Sequence, residues 1–304
     1  MNRVTVIGSI NLDTNLRVRK MPKPGETVHA TGHYSAAGGK GANQAVAAAR
    51  SGCKVSFIGG VGNDAPGSEM LNLLKKEGIN TSGIITAPHE STGQAFITVD
   101  DNGQNSITIY AGANYAFGPN EVVQNKALIA NSDFLIAQFE TPLEATIKGF
   151  EIAHAEGVTT ILNPAPALAE IPADLLKLTD IITPNETEAE TITGIKVIDE
   201  KTAQEAAAKL HQQGVATVII TIGAKGAFYD YQGQCALIPA FKVKAVDTTA
   251  AGDTFIGAMT SVLKPDLTNL KEAVLFANKA SSLTVQKFGA QPAIPFAKDI
   301  KLVK

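Results

Sequence analysis

The sequence predicts a doubly wound α/β protein, with a mostly parallel central sheet, helices on both faces and a small β-sheet lid. Three observations predict it. Short apolar, β-branched runs recur without alternation, as strands buried on both faces require. Helical stretches that stop at glycine lie between them. One further region alternates apolar with polar residues, which marks strands with one wet face.

In chain order, Val4 to Ile7 is the first buried strand, ending at Gly8. Thr27 to Ser35 is polar and strand-like. Gly41 to Ser51 is Ala-rich and helical, with Gly52 as its stop. Lys54 to Ile58 is the next strand. Met70 to Glu77 repeats apolar residues at helical spacing and stops at Gly78. Gly93 to Tyr110 reads as a hairpin around Asp100-Asp101-Asn102-Gly103, a strong turn signal. Strands at Phe134–Ala137, Thr159–Leu162, Ile181–Thr183 and Val218–Thr221 alternate with helices over Pro142–Glu156 and Thr202–Gln213.

Composition narrows the function. The chain has 304 residues, enough for two domains or for one large α/β domain. It is 44% hydrophobic and carries a net charge of −3, which excludes both a disordered acidic chain and a broad basic face for nucleic acid. Trp is absent and aromatics are 6%, which argues against a stacking platform for single strands. No window approaches the roughly 18 apolar residues of a membrane span. The opening MNRVTVIGSI reads as a strand and not a leader peptide. Cys53 and Cys235 fit no zinc or redox spacing and read as two buried thiols of a reducing cytoplasm. The five histidines are scattered; His29 and His33 share a strand face without a third ligand.

Several motifs carry chemistry. In Asp247-Thr248-Thr249-Ala250-Ala251-Gly252-Asp253-Thr254-Phe255, a small-residue turn opens a helix. Such a turn offers free N–H groups at the positive end of a helix dipole, a natural anion site. Asp253 is then either a helix cap or a base beside an anion hole. Gly38-Gly39-Lys40-Gly41-Ala42-Asn43 is a second Gly-rich turn opening a helix, either a polar ligand site or a tight packing turn, and not a Walker loop. Gly60-Val61-Gly62-Asn63-Asp64-Ala65 matches a dinucleotide fingerprint in form. Pro66 and Gly67 interrupt the helix that should follow, and no acid stands about twenty residues on. Asn185 to Glu188 and the Thr221-Ile222-Gly223-Ala224-Lys225-Gly226 turn both follow strand ends, where open α/β sheets bind ligands. Asn11 and Asp13 share one side of an extended segment.

Taken together, GSINLD (8–13), PKPGET (22–27), GGKGANQAVAAARSG (38–52), GGVGND (59–64), GANYAF (112–117), QFETP (138–142), NPAPA (163–167), PNETEAE (184–190), TIGAKG (221–226), DTTAAGDTFIGA (247–258) and KFGAQPAIP (287–295) resemble the ribokinase-like, PfkB-type carbohydrate kinase family over nearly the whole chain. GGKGANQA and AAGDTF are the most specific pieces. The resemblance implies one domain over 1–304, with a discontinuous β lid at about 12–36 and 93–111 that pairs with its twin in a homodimer. It implies transfer of the ATP γ-phosphoryl group to O5 of D-ribose. Asp253 falls at the family's base, with Ala250, Ala251 and Gly252 around its anion hole. Asn11, Asp13, Gly39, Lys40, Asn43 and Glu140 fall at sugar-binding positions. Asn185, Thr221, Gly223, Gly226, Gly252 and Asn278 fall at nucleotide positions, and Glu188 at the acid tied to Mg²⁺ and phosphate. Asp247, Thr249, Thr284, Lys287 and Gly289 fall at a K⁺ site, where Ala293 replaces a hydroxyl residue of a related enzyme. The alternatives on this fold are a kinase for 2-deoxyribose, fructose or a nucleoside, and a sugar-binding regulator without activity.

Overall fold

The structure, a computed structural model, describes residues 1–302. Strands β1 (Arg3–Ile7), β2 (Asn11–Val18) and β3 (Ala30–Gly38) precede helix α1 (Lys40–Arg50). Then come β4 (Lys54–Gly62), α2 (Ala65–Lys76), β5 (Asn80–Ala87), β6 (Gly93–Val99) and β7 (Asn105–Tyr110). Short helices α3 (Pro119–Gln124) and α4 (Lys126–Ala130) lead to β8 (Phe134–Ala137), α5 (Leu143–Glu156) and β9 (Thr159–Leu162). The middle of the chain continues through α6 (Ala173–Lys177), β10 (Ile181–Ile182), α7 (Glu186–Thr193), α8 (Glu200–Gln212) and β11 (Thr217–Thr221). Strands β12 (Ala227–Tyr231) and β13 (Gln234–Ile238), then α9 (Ala251–Val262), α10 (Leu270–Thr284) and α11 (Ala297–Leu302), complete it.

Nine strands form one sheet in the order β13-β12-β11-β10-β9-β8-β1-β4-β5. It is parallel from β5 through β11, and β12 and β13 run antiparallel at one edge. The apolar runs behave as two-faced strands. Val4, Val6, Phe134 and Ile136 pack on the face under α1, α2, α9 and α10. Ile7, Leu135, Ala137 and Leu162 pack on the face under α3 to α8. This is the doubly wound fold that the alternation of runs and helices predicts. No helix among the described residues is long and apolar enough to cross a membrane.

A second sheet has the order β3-β2-β6-β7. Its hairpin turns where expected: the Asp100 carboxylate accepts the N–H groups of Asn102 and Gln104, and Gly103 takes φ 78°. The expectation of a single wet face fails on β7. All six of its residues are exposed, because it is the edge strand of a sheet with no core of its own beneath it.

Four local readings need correction. Helix α2 begins at Ala65, not Met70, because Pro66 sits in the first turn, where its missing N–H costs nothing, and Asp64 accepts the Gly67 N–H as a cap. The polar strand runs to Gly38, since its pairing with β2 continues to Asn11. His29 lies just outside that strand and shares no strand face with His33. Cys235 is exposed on the edge strand β13; only Cys53 is largely enclosed, and burial pushes its thiol up to about 12.

Candidate active site

The carboxyl ends of β1, β8, β9, β10 and β11 open onto a cavity of about 570 Å³, the usual scale of a small-molecule site. Its floor begins where β1 gives way to Ser9 and Asn11. Gly8 and Gly41 allow the start of α1 to lie against the end of β1: a Cβ on Gly41 would fall 2.6 Å from Gly8 Cα and Ser9 N. Gly39 at the cap supplies no side chain for the first turn of α1. The Glu140 carboxylate takes that place, accepting the Lys40 N–H at 3.1 Å and the Ser9 hydroxyl at 2.5 Å.

Asp253 stands in the first turn of α9 and is 8% exposed. Its Oδ2 accepts from Asn43 Nδ2 at 3.1 Å and its Oδ1 from Gln44 Nε2 at 2.9 Å. Gln44 is fully buried and anchored in turn, accepting from Gln138 Nε2 at 2.6 Å and donating to Asn163 Oδ1 at 3.0 Å. Burial raises the Asp253 pKa, opposed by Lys40 and by the Gln44 and Asn43 donors. Burial works to lower the Lys40 pKa, but Asp253, Glu140 and Glu188 outweigh it and hold the ammonium charged.

The cap of α9 is Ala250 with φ 60°, an uncommon left-handed conformation for a residue with a Cβ. No side chain caps this end, so the positive pole of α9 faces the cavity. Of the expected anion-hole residues, Ala251 already donates its N–H to Thr248 O at 3.2 Å. Gly252 and Asp253 follow it in the first turn, where a helix offers no acceptor.

The opposite wall comes from the four-stranded sheet. Ala95 and Ile97 of β6 and Ile107 and Ile109 of β7 line the cavity with Asn11 and Asp13 of β2. The Asp13 carboxyl lies across the backbone of Gly38, where any Cβ would fall inside it. Its Oδ1 is buried without a partner, as is Asn43 Oδ1. Burial, then the charges of Glu140 and Asp253, push the Asp13 pKa up to about 7.

The cavity therefore gathers Asn11, Asp13, Gly39, Lys40, Asn43, Glu140, Asn185, Glu188, Thr221, Thr249, Ala250, Ala251, Gly252 and Asp253. Of the two acidic residues after β10, Glu188 lines the cavity and Glu186 does not. Glu188 closes a capping box on α7, accepting the Asn185 N–H at 2.9 Å and Asn185 Nδ2 at 3.0 Å, and burial raises its pKa. Gly223 and Gly226 bracket a turn beyond Thr221 and do not line the cavity. Asn278 does not reach it either: its Nδ2 donates to Ile238 O and Pro239 O at the end of β13.

The residues expected at a K⁺ site form a neighbouring group. Asp247 Oδ1 accepts from Thr249 N and Oγ1, and its Oδ2 accepts from Gly289 N at 2.9 Å. Burial alone would raise the Asp247 pKa, but these donors hold it below the ordinary value. Lys287 N–H meets Thr284 O, and the Thr284 hydroxyl meets that of Thr254 at 3.0 Å. Ala293 is buried on a 3₁₀ turn and brings no side-chain oxygen.

Gln44, Gln138, Asn163, Ser9 and Asn114 escape the sequence reading, as do Ile97, Ile107 and Ile109. The polar ones all fall inside pieces that carry the family resemblance, without a role of their own; Gln44 also stands out locally, as a polar residue inside an Ala-rich helix next to Asn43.

The model of the pfkB family carbohydrate kinases matches residues 1–297. A ribokinase from Staphylococcus aureus is 49% identical over 303 residues, covering 99% of each chain. A bifunctional ribokinase/ribose-5-phosphate isomerase A from Fructilactobacillus sanfranciscensis is 51% identical over 97% of this chain, which spans 55% of that protein. Among solved structures, the Arabidopsis thaliana ribokinase complexed with ribose and ATP superposes with a TM-score of 0.92 at 32% identity, covering 99% of this chain and 97% of that one. The chain belongs to the pfkB family of carbohydrate kinases.

Proposed function

We propose that the protein transfers the γ-phosphoryl group of ATP to O5 of D-ribose, giving D-ribose 5-phosphate and ADP. One observation carries the reading: Asp13 Oδ1 and Asn43 Oδ1 are buried acceptors without a donor, on the wall of the cavity that holds Asp253. An unpaired buried acceptor costs ~1–3 kcal/mol, and a polyhydroxyl sugar brings the donors that relieve it. Asn11, Lys40 and Glu140 complete the polar ring, with Ala95, Ile97, Ile107 and Ile109 as its apolar cover. The likeness to a ribokinase holding ribose and ATP supports the same pairing of substrates.

In the reaction, the O5 proton passes to Asp253 as O5 attacks the γ-phosphorus, and the bond to the β-phosphate oxygen breaks to release ADP. Asn43 and Gln44 donate to Asp253 and favour its ionised form, leaving each oxygen a lone pair for that proton. Negative charge grows on the transferring group, and catalysis of such a transfer is mostly positioning and electrostatics. The open first turn of α9 at Gly252 and the Lys40 ammonium face that charge. Asn185 and Thr221 stand on the nucleotide side of the cavity, with Gly223, Gly226 and Asn278 behind it. The four-stranded sheet serves as a lid that excludes water, within a single domain over 1–304.

Mg²⁺ adds positive charge at the phosphates when ATP is bound. Its habit of few protein ligands and several waters fits Glu188, whose oxygens are each already engaged with Asn185. For K⁺, the ionised Asp247 and the backbone oxygens near Thr249, Thr284, Lys287 and Gly289 suit a large, hard cation, with no hydroxyl from Ala293. The exposed Phe96 and Tyr110, on the lid face turned away from the cavity, support a homodimer formed through it. The free thiols and the need for ATP fit a cytoplasmic protein.

ATP-dependent turnover on ribose, 2-deoxyribose, fructose and ribonucleosides tests the assignment. Ribose is expected to have the highest kcat/KM, at least about tenfold above 2-deoxyribose, because a site built to bond a hydroxyl rejects the analogue lacking it. Equal values for those two sugars would reject the assignment to ribose.

A further inference from the structure

One buried amide ties the segment after β7 to the start of β2 and takes no part in the reaction. Asn114 is 1% exposed, on the 3₁₀ turn Gly112–Tyr115 that follows β7. Its Oδ1 accepts the Ile10 N–H at 2.8 Å. Its Nδ2 donates to Ile10 O at 3.2 Å and to Asn11 Oδ1 at 2.7 Å. The side chain pairs with the Ile10 backbone as a neighbouring strand would, and gives its second proton to Asn11.

This pattern has one polarity. The Ile10 N–H requires an acceptor and the Ile10 carbonyl a donor, so the Asn114 amide cannot be turned over without losing both bonds. Its nitrogen therefore faces Asn11, and Asn11 must present its oxygen to it. The Asn11 nitrogen is what remains for the ligand. Gly93 permits the arrangement, since a Cβ there would collide with both Asn114 Nδ2 and Asn11 Oδ1.

We infer that Asn114 is a positioning residue for substrate recognition: it holds the Asn11 amide so that the cavity receives an N–H donor beside the Asp13 acceptor. The inference rests on the sugar-kinase reading of the cavity. With this polarity, one ligand hydroxyl accepts from Asn11 and another donates to Asp13. With Asn11 turned over, two acceptors would stand side by side, and a hydroxyl has one proton to give. Asn114 follows β7 and Asn11 opens β2, so the same bond also ties recognition to the seating of the lid hairpin.

The test is a double-mutant cycle on the full chain: wild type, Asn11→Ala, Asn114→Asp and the pair, each measured for ribose KM, ATP KM, kcat and Tm. Asn114→Asp keeps an oxygen for the Ile10 N–H and replaces the donor that faces Asn11 with an acceptor. It is expected to raise ribose KM by about tenfold or more while ATP KM changes less than about twofold. In the Asn11→Ala background the same change should move ribose KM by less than about twofold, since the interaction is already absent. A merely structural role gives the same factor in both backgrounds, and that result overturns the inference while leaving the sugar site intact. An unchanged ribose KM in Asn11→Ala alone overturns the sugar-site reading and this inference with it. Where Asn114→Asp does not fold, Asn114→Ala takes its place in the cycle under the same criteria.

Discussion

The two sheets are hydrogen-bonded alike and buried unlike. Strand β8 pairs with β9 in four registered positions, and β6 pairs with β7 in six. Yet all four residues of β8 are buried, whereas every residue of β7 is exposed, Ile107 at 54% and Ile109 at 52%. Backbone pairing satisfies polar groups in both; apolar burial separates them, and it is the larger source of stability. The nine-stranded sheet is ordered by its own core. The smaller sheet has strand-forming residues but little to bury them against, so what it lies against, ligand or second subunit, completes it. The cavity thus has a fixed polar floor and an adaptable apolar roof.

The largest effect is expected on the floor. Asp253→Asn should cut kcat by at least about 10²-fold if the carboxylate takes the O5 proton. Melting temperature should hold within a few degrees, because a buried charge has been replaced by a nearly isosteric neutral group. A purely structural role, as the acceptor for Asn43 and Gln44, predicts the reverse: turnover kept and stability lost. Turnover near that of the wild type would remove Asp253 from the chemistry.

The contrast in burial can be broken directly by truncating one strand residue in each sheet. Phe134 is fully buried in β8, and Phe134→Ala should cost ~3–5 kcal/mol in denaturant unfolding. Ile107→Ala on the roof should cost less than about 0.5 kcal/mol in the ligand-free protein. Comparable losses would show that the small sheet folds as part of the main cooperative unit.

This division also explains what was legible in the sequence. The fold class was, because strands buried on both faces leave apolar runs that need no long-range information. So were the loops at 38–43 and 247–253, since glycines and small residues before a helix announce themselves over a few positions. The amides that hold Asp253 were not. Gln44, Gln138 and Asn163 are spread over some 120 residues, and only tertiary packing brings them together. Asn114 stood in the GANYAF piece, but its pairing was hidden for the same reason, since its partner lies about 100 residues earlier. The roof isoleucines looked like ordinary alternating strand residues, and nothing local told which side would face the cavity. Cys235 shows the opposite error: a residue type that is usually buried stands on an edge strand, where neighbours in space and not composition decide exposure.

The smallest effect concerns the seam between floor and roof. Asp13 belongs to the small sheet but is enclosed by the floor, where burial and then Glu140 and Asp253 push its pKa up to about 7. Lys40, Glu140, Asp253 and Glu188 are the other charged groups around this cavity. Well below pH 4 the Asp13 carboxyl is protonated in both the folded and the unfolded chain and adds no pH dependence to stability. As pH rises toward 7 the unfolded chain releases the proton while the folded protein retains it. The folded state then binds more protons than the unfolded one, so stability falls with pH through that window and levels off above it. Asn at this position never ionises and escapes the loss. Asp13→Asn should therefore leave Tm unchanged near pH 4 and raise it by about 2 °C or more at pH 8, while ribose binding weakens because one acceptor has become an amide. A Tm difference that is flat from pH 4 to 8 would mean that Asp13 ionises freely, and that the roof leaves it open to water.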